Sequence, residues 1–412
     1  MRGLQIAVAG CGPAGLAAAL ALSRDGHRVA LFERFDTPRP LGSGLMLQPT
    51  GLAVLANLGL DERILGCGAR IERVRGLTQT GRVVLDVHYA ALRGAYGVGV
   101  HRAALFATLF EAVQAQGASI ETGRTVVDAP PSGGGRRRLV FAKGGEAGPF
   151  DLVVDALGAA SSLAPPTGFD LAYGALWASL DWPEDAGFDA AALEQRYVAS
   201  HTMCGVMPIG RVESRTERQA AFFWSLRRDR LDAWRENGLD VWKAKVAALW
   251  PATRPFLVQI ADPDQLTFAR YRHRTLAVPA AAGLIHIGDA WRSTSPQLGQ
   301  GVNMALLDAY ALAASLRSAP NVAAALRRAV ALRRVHVWIY QAMSRLFTPV
   351  YQSDSAFLPW MRDEVAGPLS RTWPATAVLA AMVAGLVGSP LRQLGLTPTE
   401  PPPSGEVSRT PV

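Results

Sequence analysis

Hydrophobic and polar positions fall into two textures along the chain. Residues 4–9 (LQIAVA) are a β-compatible apolar run, which predicts a strand buried on both faces. After Gly10-Cys11-Gly12-Pro13-Ala14-Gly15, the pairs Leu16/Leu20 and Ala17/Ala21 recur at four-residue spacing, predicting a helix that Gly26 stops. Residues 28–32 (RVALF) predict a second strand ending at Glu33, so the opening is one βαβ unit. From Ala69 to Val100 the texture becomes alternating, and 82–89 (RVVLDVHY) reads as a half-buried antiparallel strand. A helix is expected over Arg102 to Gln116, with Leu105, Leu109 and Val113 on one face and Gly117 after its end.

A short strand (118–122) and a Gly/Arg-rich hairpin (124–142) come next, and Leu152-Val153-Val154 reads as a return to the first sheet. Residues 165–280 are mostly strand-like with a helical insertion near 228–250. Leu284 to Ile287 is another buried strand, followed by Gly288-Asp289 and a helix from about Gln297 to Arg317. The expected fold is α/β: a discontinuous Rossmann-like domain (1–70, 100–160, 280–320) interleaved with a mostly antiparallel β-sheet substrate domain (71–99, 165–279). A helical C-terminal region (321–395) and a flexible tail (396–412) complete it. No internal repeat is visible.

Composition narrows the function classes. The 412 residues suffice for a large core, and 40 Gly with 27 Pro stay below the roughly 25–30% that marks low-complexity chains. Cys11, Cys67 and Cys204 have no CxxC spacing, so neither a disulfide framework nor a zinc site is expected; reduced thiols in the cytoplasm are. The net charge is +8, yet 39 of the 42 basic residues are arginine and no basic stripe is interleaved with stacking aromatics, which argues against nucleic acid as a partner. Anionic substrates or a peripheral contact with an anionic membrane remain compatible. No secretory signal opens the chain, and the apolar stretch Ala377 to Gly388 is short of the ~20 residues a spanning helix needs.

Chemistry is concentrated in two glycine motifs. Gly10-x-Gly12-x-x-Gly15 stands between a strand and a helix, the context that makes this short pattern a dinucleotide site. Gly10 allows the tight turn, Gly12 lets a pyrophosphate approach the backbone and Gly15 lets helix and strand pack, while Pro13 and Ala14 open the helix. Glu33 is placed to accept from a ribose diol. The second motif, Pro296-Gln297-Leu298-Gly299-Gln300-Gly301-Val302-Asn303, follows a strand end bearing Asp289. Asp289 suits a polyhydroxyl chain such as ribityl. The N–H groups at 299–303 suit a ring carbonyl that gains negative charge, as reduced flavin does and nicotinamide does not. Buried walls from 170–225, including Tyr173, Trp177, Met203, Met207 and Phe223, are candidates for shaping a substrate cavity or are plain core. The seven histidines are dispersed, with no HExxH and no metal cluster, and Ser161 and Ser162 lack a GxSxG elbow.

In their order, these motifs make the chain resemble a class A flavin monooxygenase of the p-hydroxybenzoate hydroxylase superfamily over about residues 1–345. The residues carrying the resemblance are GxGxxG with Glu33-Arg34, Arg39-Pro40-Leu41-Gly42-Ser43-Gly44-Leu45, His101-Arg102, and GDAWRSTSPQLGQGVNMALLDA (288–309). The resemblance implies FAD, with Arg102 at its phosphates and the segment from Arg39 through Ser43 and Gly44 beside the adenosine and flavin. Val126 joins the implied contacts, and Pro296, Gly299, Gly301, Val302 and Asn303 sit at the isoalloxazine. It implies NAD(P)H as co-substrate and transfer of one oxygen atom of O2, through a C4a-hydroperoxyflavin, to an aromatic or other electron-rich, lipophilic organic molecule. It implies nothing about a catalytic side chain or about monomer against homodimer. Leu157 and Ala164 stand where relatives carry aspartate and arginine shared with nicotinamide binding, and Trp291-Arg292 replaces the usual Ala-His. A flavin reductase or dehydrogenase similar to prenyl reductases is the first alternative. A nucleotide-binding protein without catalysis is the second, and a halogenase is disfavoured by the missing WxWxIP.

Overall fold

The computed structural model describes residues 1–39, 42–92, 94–185, 187–212 and 216–399. Pro40 and Leu41 of the 39–45 segment, and most of the expected tail at 396–412, lie outside the described residues.

The opening run forms β1 (Gln5–Ala9), α1 (Pro13–Arg24) and β2 (Arg28–Phe32). β1 is paired on both edges in parallel, Ala7 lying opposite Val153 on one side and Ala30 on the other. Strand Leu284–His286 extends the parallel sheet beyond Leu152–Asp155, and Ser119–Glu121 extends it beyond β2. Helices cover the face with Ile6 and Val8 and a three-stranded sheet (126–150) the face with Ala7 and Ala9, so all four are fully buried and the run carries no polar alternation.

The second sheet has seven strands in the order Thr267–Ala269, Tyr173–Asp181, Gln219–Arg227, Thr202–Gly210, Ala192–Val198, Arg73–Thr78, Val83–His88. Its pairings are antiparallel except between Ala192–Val198 and Arg73–Thr78. Side chains alternate between two apolar layers. Phe222, Trp224, Cys204 and Val206 pack against Trp234, Trp242, Trp250 and Phe256 of the helical insertion. Phe223, Met203 and Met207 point to the other face. Both faces are covered, which is why these strands read as apolar runs. The insertion contains the helices Leu231–Asn237 and Leu239–Leu249, broken at Gly238 with φ +83°.

Helix α2 (Arg102–Ala115) matches the spacing of Leu105, Leu109 and Val113, all fully buried. The expected helix from Gln297 begins as a 3-10 turn (Pro296–Leu298); α3 (Gly301–Ser318) starts later, because Gly299 takes φ +61°, which no α-helix accommodates. α3 packs against α1 and against α4 (Val322–Tyr351). The short α5 (Phe357–Met361) and α6 (Ala375–Val383) follow. Among the described residues no helix is long and apolar enough to cross a membrane.

Candidate functional site

One cavity of about 760 Å³ runs along the parallel-sheet domain and the inner face of the seven-stranded sheet. Gly12, Pro13 and Ala14 line it, and so do Pro296, Gly299, Gly301 and Val302. The two glycine motifs, almost 290 residues apart in sequence, therefore open onto the same continuous space.

Each glycine of the first motif has its own reason. A Cβ on Gly10 (φ +107°) would lie 2.6 Å from the Ala156 carbonyl oxygen, and one on Gly15 only 1.9 Å from that of Gly10. Internal packing fixes these two. A Cβ on Gly12 would meet nothing within 4 Å, and Gly12 has an ordinary φ of −72°. The fold itself does not need glycine there, so the open space points to a ligand. Gly301 is likewise clear. The first N–H groups of α1 and α3 have no intrahelical acceptors, which makes both positions sites for negative charge.

Glu33 closes the loop from behind: its carboxylate accepts from the Cys11 N–H at 2.9 Å and the Phe35 N–H at 3.1 Å. Arg34 and Arg39 lie over the Phe35 ring, outside the cavity wall. Val126 is buried behind the parallel sheet, packed with Phe141 and Phe150, and does not reach the cavity.

Arg102 is fixed by its neighbours. The His101 imidazole Nδ1 accepts from the Ala103 N–H at 3.0 Å, capping α2, while its Nε2 lies 3.0 Å from the Ser179 hydroxyl. Ser43 bonds to the same hydroxyl at 2.8 Å and donates to the Ala178 carbonyl at 3.1 Å, tying the 42–45 segment to the antiparallel sheet. A Cβ at Gly42 would come within 3.1 Å of the Arg102 side chain, so the segment passes directly over the guanidinium. Gly42, Ser43, Gly44, Arg102 and Asp289 all line the cavity. Arg102 and Asp289 are accessible through it, yet hemmed in by protein. Desolvation lowers the Arg102 pKa and raises that of Asp289, and each charge opposes the other's shift.

Behind Asp289 lies a buried charge network that the sequence did not signal. Asp308 accepts from the Gly288 N–H at 3.0 Å, from Arg292 and from Arg333 Nε at 2.9 Å. Arg333 also donates to His336 Nδ1 at 3.0 Å, and His336 Nε2 lies 3.0 Å from the Gly385 carbonyl. The ring must therefore be the neutral Nε2–H tautomer. Burial and the Arg333 charge push the His336 pKa down to about 2, and burial pushes that of Arg333 down to about 10. An unfolded histidine binds a proton below about pH 6.5, while the native ring does not. Stability is thus complete above that pH and falls as pH drops towards 2, by about 1.4 kcal/mol per unit. We predict that His336→Gln, which can bond to both partners without titrating, flattens this slope between pH 6.5 and 5 in urea denaturation; an unchanged slope would rule it out.

Asn303 departs from the expected contact with flavin. It is fully buried, accepts from the Gln48 N–H at 2.8 Å and donates to the Met46 and Gly299 carbonyls at 3.1 and 3.0 Å. Its amide clamps strand Gly44–Leu47 to the start of α3 and does not line the cavity. Beside it, Gln48 Nε2 and Gln300 Oε1 are buried polar atoms without partners. Such atoms are costly unless a bound group satisfies them.

The far end of the cavity is apolar. Trp177, Met203, Met207 and Phe223 line it, with the Trp177 and Phe223 rings 4.6 Å apart. Tyr173 does not; its hydroxyl donates to Asp354 at the outer edge of the sheet. Sequence reading missed Tyr271, a cavity residue whose hydroxyl accepts from the Trp177 indole N–H at 3.0 Å and whose pKa burial pushes up to about 12. It also missed the wall contributed by Phe347, Tyr351, Leu379, Met382 and Val383. The departures at 157 and 164 are structural: Leu157 packs in the sheet core, and Ala164 joins an apolar cluster with buried Trp291. Asp155 is turned away from the cavity, fully buried with Ser161, His286 and the Leu157 N–H. Among the described residues no group of three or more metal-ligating side chains is present.

These features match known proteins. Residues 3–338 match the model of the FAD binding domain family. The chain belongs to that family. It is 26% identical over 388 residues to an aurachin C monooxygenase/isomerase of Stigmatella aurantiaca, covering 89% of this chain and 95% of that protein. To a 6-methylpretetramide 4-monooxygenase of Streptomyces rimosus it is 29% identical over 332 residues, 74% and 73% of the two chains. The fold superposes on the crystal structure of Klebsiella pneumoniae HpxO complexed with FAD and uric acid with a TM-score of 0.78 at 20% identity, covering 95% and 99%. The protein is a class A FAD-dependent monooxygenase, and open Gly12 and Gly301, the orphaned Gln300 oxygen on the cavity wall, and the Arg102–Asp289 pair fit the flavin dinucleotide.

Proposed function

We propose that this monooxygenase uses NAD(P)H as reductant and transfers one oxygen atom of O2 to an aromatic, lipophilic molecule held in the apolar end of the cavity. The observation that carries this reading is the continuity of that end with both glycine motifs. When bound, flavin supplies the hydride acceptance and oxygen activation. The α1 N-terminus at Gly12 to Gly15 and Arg102 would hold the pyrophosphate, Glu33 the ribose, and Asp289 the polyhydroxyl chain. The N–H groups at 300–302 would face the ring edge where negative charge develops, the Gly299 N–H being taken by the Pro296 carbonyl at 2.9 Å. Trp177 and Phe223 wall a slot for a flat ring, and the apolar lining excludes water. Burial keeps Tyr271 protonated against the opposing hydrogen bond from Trp177, and because that bond occupies its oxygen as acceptor, its O–H is the group it can offer a substrate oxygen. The same reading includes an interleaved antiparallel substrate domain, a monomer or homodimer, and a cytoplasmic enzyme in peripheral contact with a membrane.

Two measurements test this. Oxygen uptake coupled to NADH or NADPH oxidation should rise with phenols or polycyclic aromatics and yield a hydroxylated product. Flavin reduction with no oxygenated product from any of them would favour the reductase alternative. Arg102→Met is expected to weaken FAD binding on the order of tenfold to a hundredfold, the loss of one or two charge-assisted hydrogen bonds. Titration of the apoprotein with FAD checks it, and an unchanged Kd would remove Arg102 from the phosphate site.

A further inference from the structure

We propose that the C-terminal helices dock this protein onto an anionic lipid bilayer, with the outer face of α4 as the contact surface, and that the cavity takes its substrate from that bilayer. This rests on the apolar substrate class proposed above. Among the described residues, nine of the fourteen large exposed hydrophobic side chains lie between Val335 and Val378, so the exposure is concentrated in the C-terminal helices. On α4 the exposed positions 331, 335, 338, 342 and 346 recur at three- and four-residue intervals, one stripe along the helix. Trp338 is 70% exposed, and Trp360 and Trp373 carry the same character into the following segments. Indole rings at a surface suit the headgroup layer of a bilayer.

Charge selects the occupant. α4 contains five arginines and no acidic residue; Arg333 is buried, while Arg327, Arg328, Arg334 and Arg345 flank the apolar stripe. Among the described residues, the acidic side chains that follow are engaged, Asp354 with Arg227, Asp363 with Arg362 and Glu364 with Arg82. A second copy of this chain meeting the same face about a two-fold axis would set arginines against arginines. An anionic bilayer instead attracts them. A hollow of about 240 Å³ at the edge of this face, between α4 and residues 275–279, is bordered by Arg334, Trp338 and Arg345, cationic and aromatic walls suited to a phosphate headgroup. The inner sides of the same helices, at Phe347, Tyr351, Leu379, Met382 and Val383, wall the cavity. The same helices thus carry both the exposed apolar positions and a wall of the cavity.

The test is sedimentation of the full-length, FAD-loaded protein with vesicles of phosphatidylcholine alone or mixed with phosphatidylglycerol. Binding to the mixed vesicles is expected, with release by salt. Arg334→Gln/Arg345→Gln should lower the partition coefficient roughly tenfold or more, at about a factor of five per arginine, and Trp338→Ser should lower it too. Both variants are expected to keep bound flavin and NAD(P)H oxidation with a water-soluble aromatic. No binding to either vesicle, binding indifferent to the arginine pair, or a dimer by light scattering that Trp338→Ser dissociates would each overturn the docking. Sedimentation needs no turnover, so it stands or fails apart from the monooxygenase reading. Oxygen uptake with an alkylated aromatic dissolved in the vesicles should fall in the arginine variant, and an unchanged rate would overturn the delivery.

Discussion

Gly12→Val is expected to fold normally and to purify without its flavin. In most glycine motifs a substitution confuses two losses, because the residue serves both the turn and the ligand. Here the structure separates them. Gly12 has φ −72° and ψ 174°, values open to any residue, and a Cβ there would enter empty space. Valine adds an isopropyl group where the pyrophosphate must approach the α1 N–H groups. The loss should be on the order of a hundredfold or more in FAD affinity, about 3 kcal/mol. Circular dichroism and thermal unfolding of the apoprotein should match the wild-type apoprotein, while the yellow colour and flavin absorbance disappear. Gly15→Val is the contrasting control: its Cβ would overlap the Gly10 carbonyl, so it should not accumulate as folded protein. A yellow Gly12→Val protein with near-native affinity would remove the phosphates from this loop and sink the site assignment.

Asp308→Ala should be the most damaging substitution away from the cavity. Asp308 is the acceptor for two buried guanidiniums and for the Gly288 N–H. Arg292 and Arg333 are 3% and 1% exposed, so neither can swing into water when the carboxylate is removed. Breaking a buried pair by deleting one partner costs about 3–5 kcal/mol, because the remaining charge is left without compensation. Two such charges remain here, and the Arg333 pKa is already depressed with Asp308 in place. Urea denaturation of the apoprotein should show this loss, and the strand end that carries Asp289 should loosen with it, weakening FAD binding as well. A midpoint shift corresponding to less than about 1 kcal/mol would mean that the network relaxes and that Arg292 finds another acceptor.

Sequence alone determined the βαβ opening and the two glycine motifs. Their local periodicity and φ requirements are properties of neighbouring residues and do not depend on distant contacts. Asp289 was legible because it ends a strand, and Arg102 only through the resemblance that His101-Arg102 carries. Tertiary structure decided the rest. Asn303 sits in the motif yet clamps a strand, because its amide meets Gln48 and Met46 more than 250 residues away. Tyr173 and Trp177 share a strand, and only sheet packing sends one to Asp354 and the other into the cavity. Tyr271, the α6 wall and the Asp308 network were invisible because no short pattern marks a tyrosine, a methionine or an arginine whose role comes from what folds against it. Local chemistry wrote the places where a dinucleotide can be gripped. The shape and polarity of the space around it came from long-range packing, which fixes the neighbours, burial and charge of each side chain.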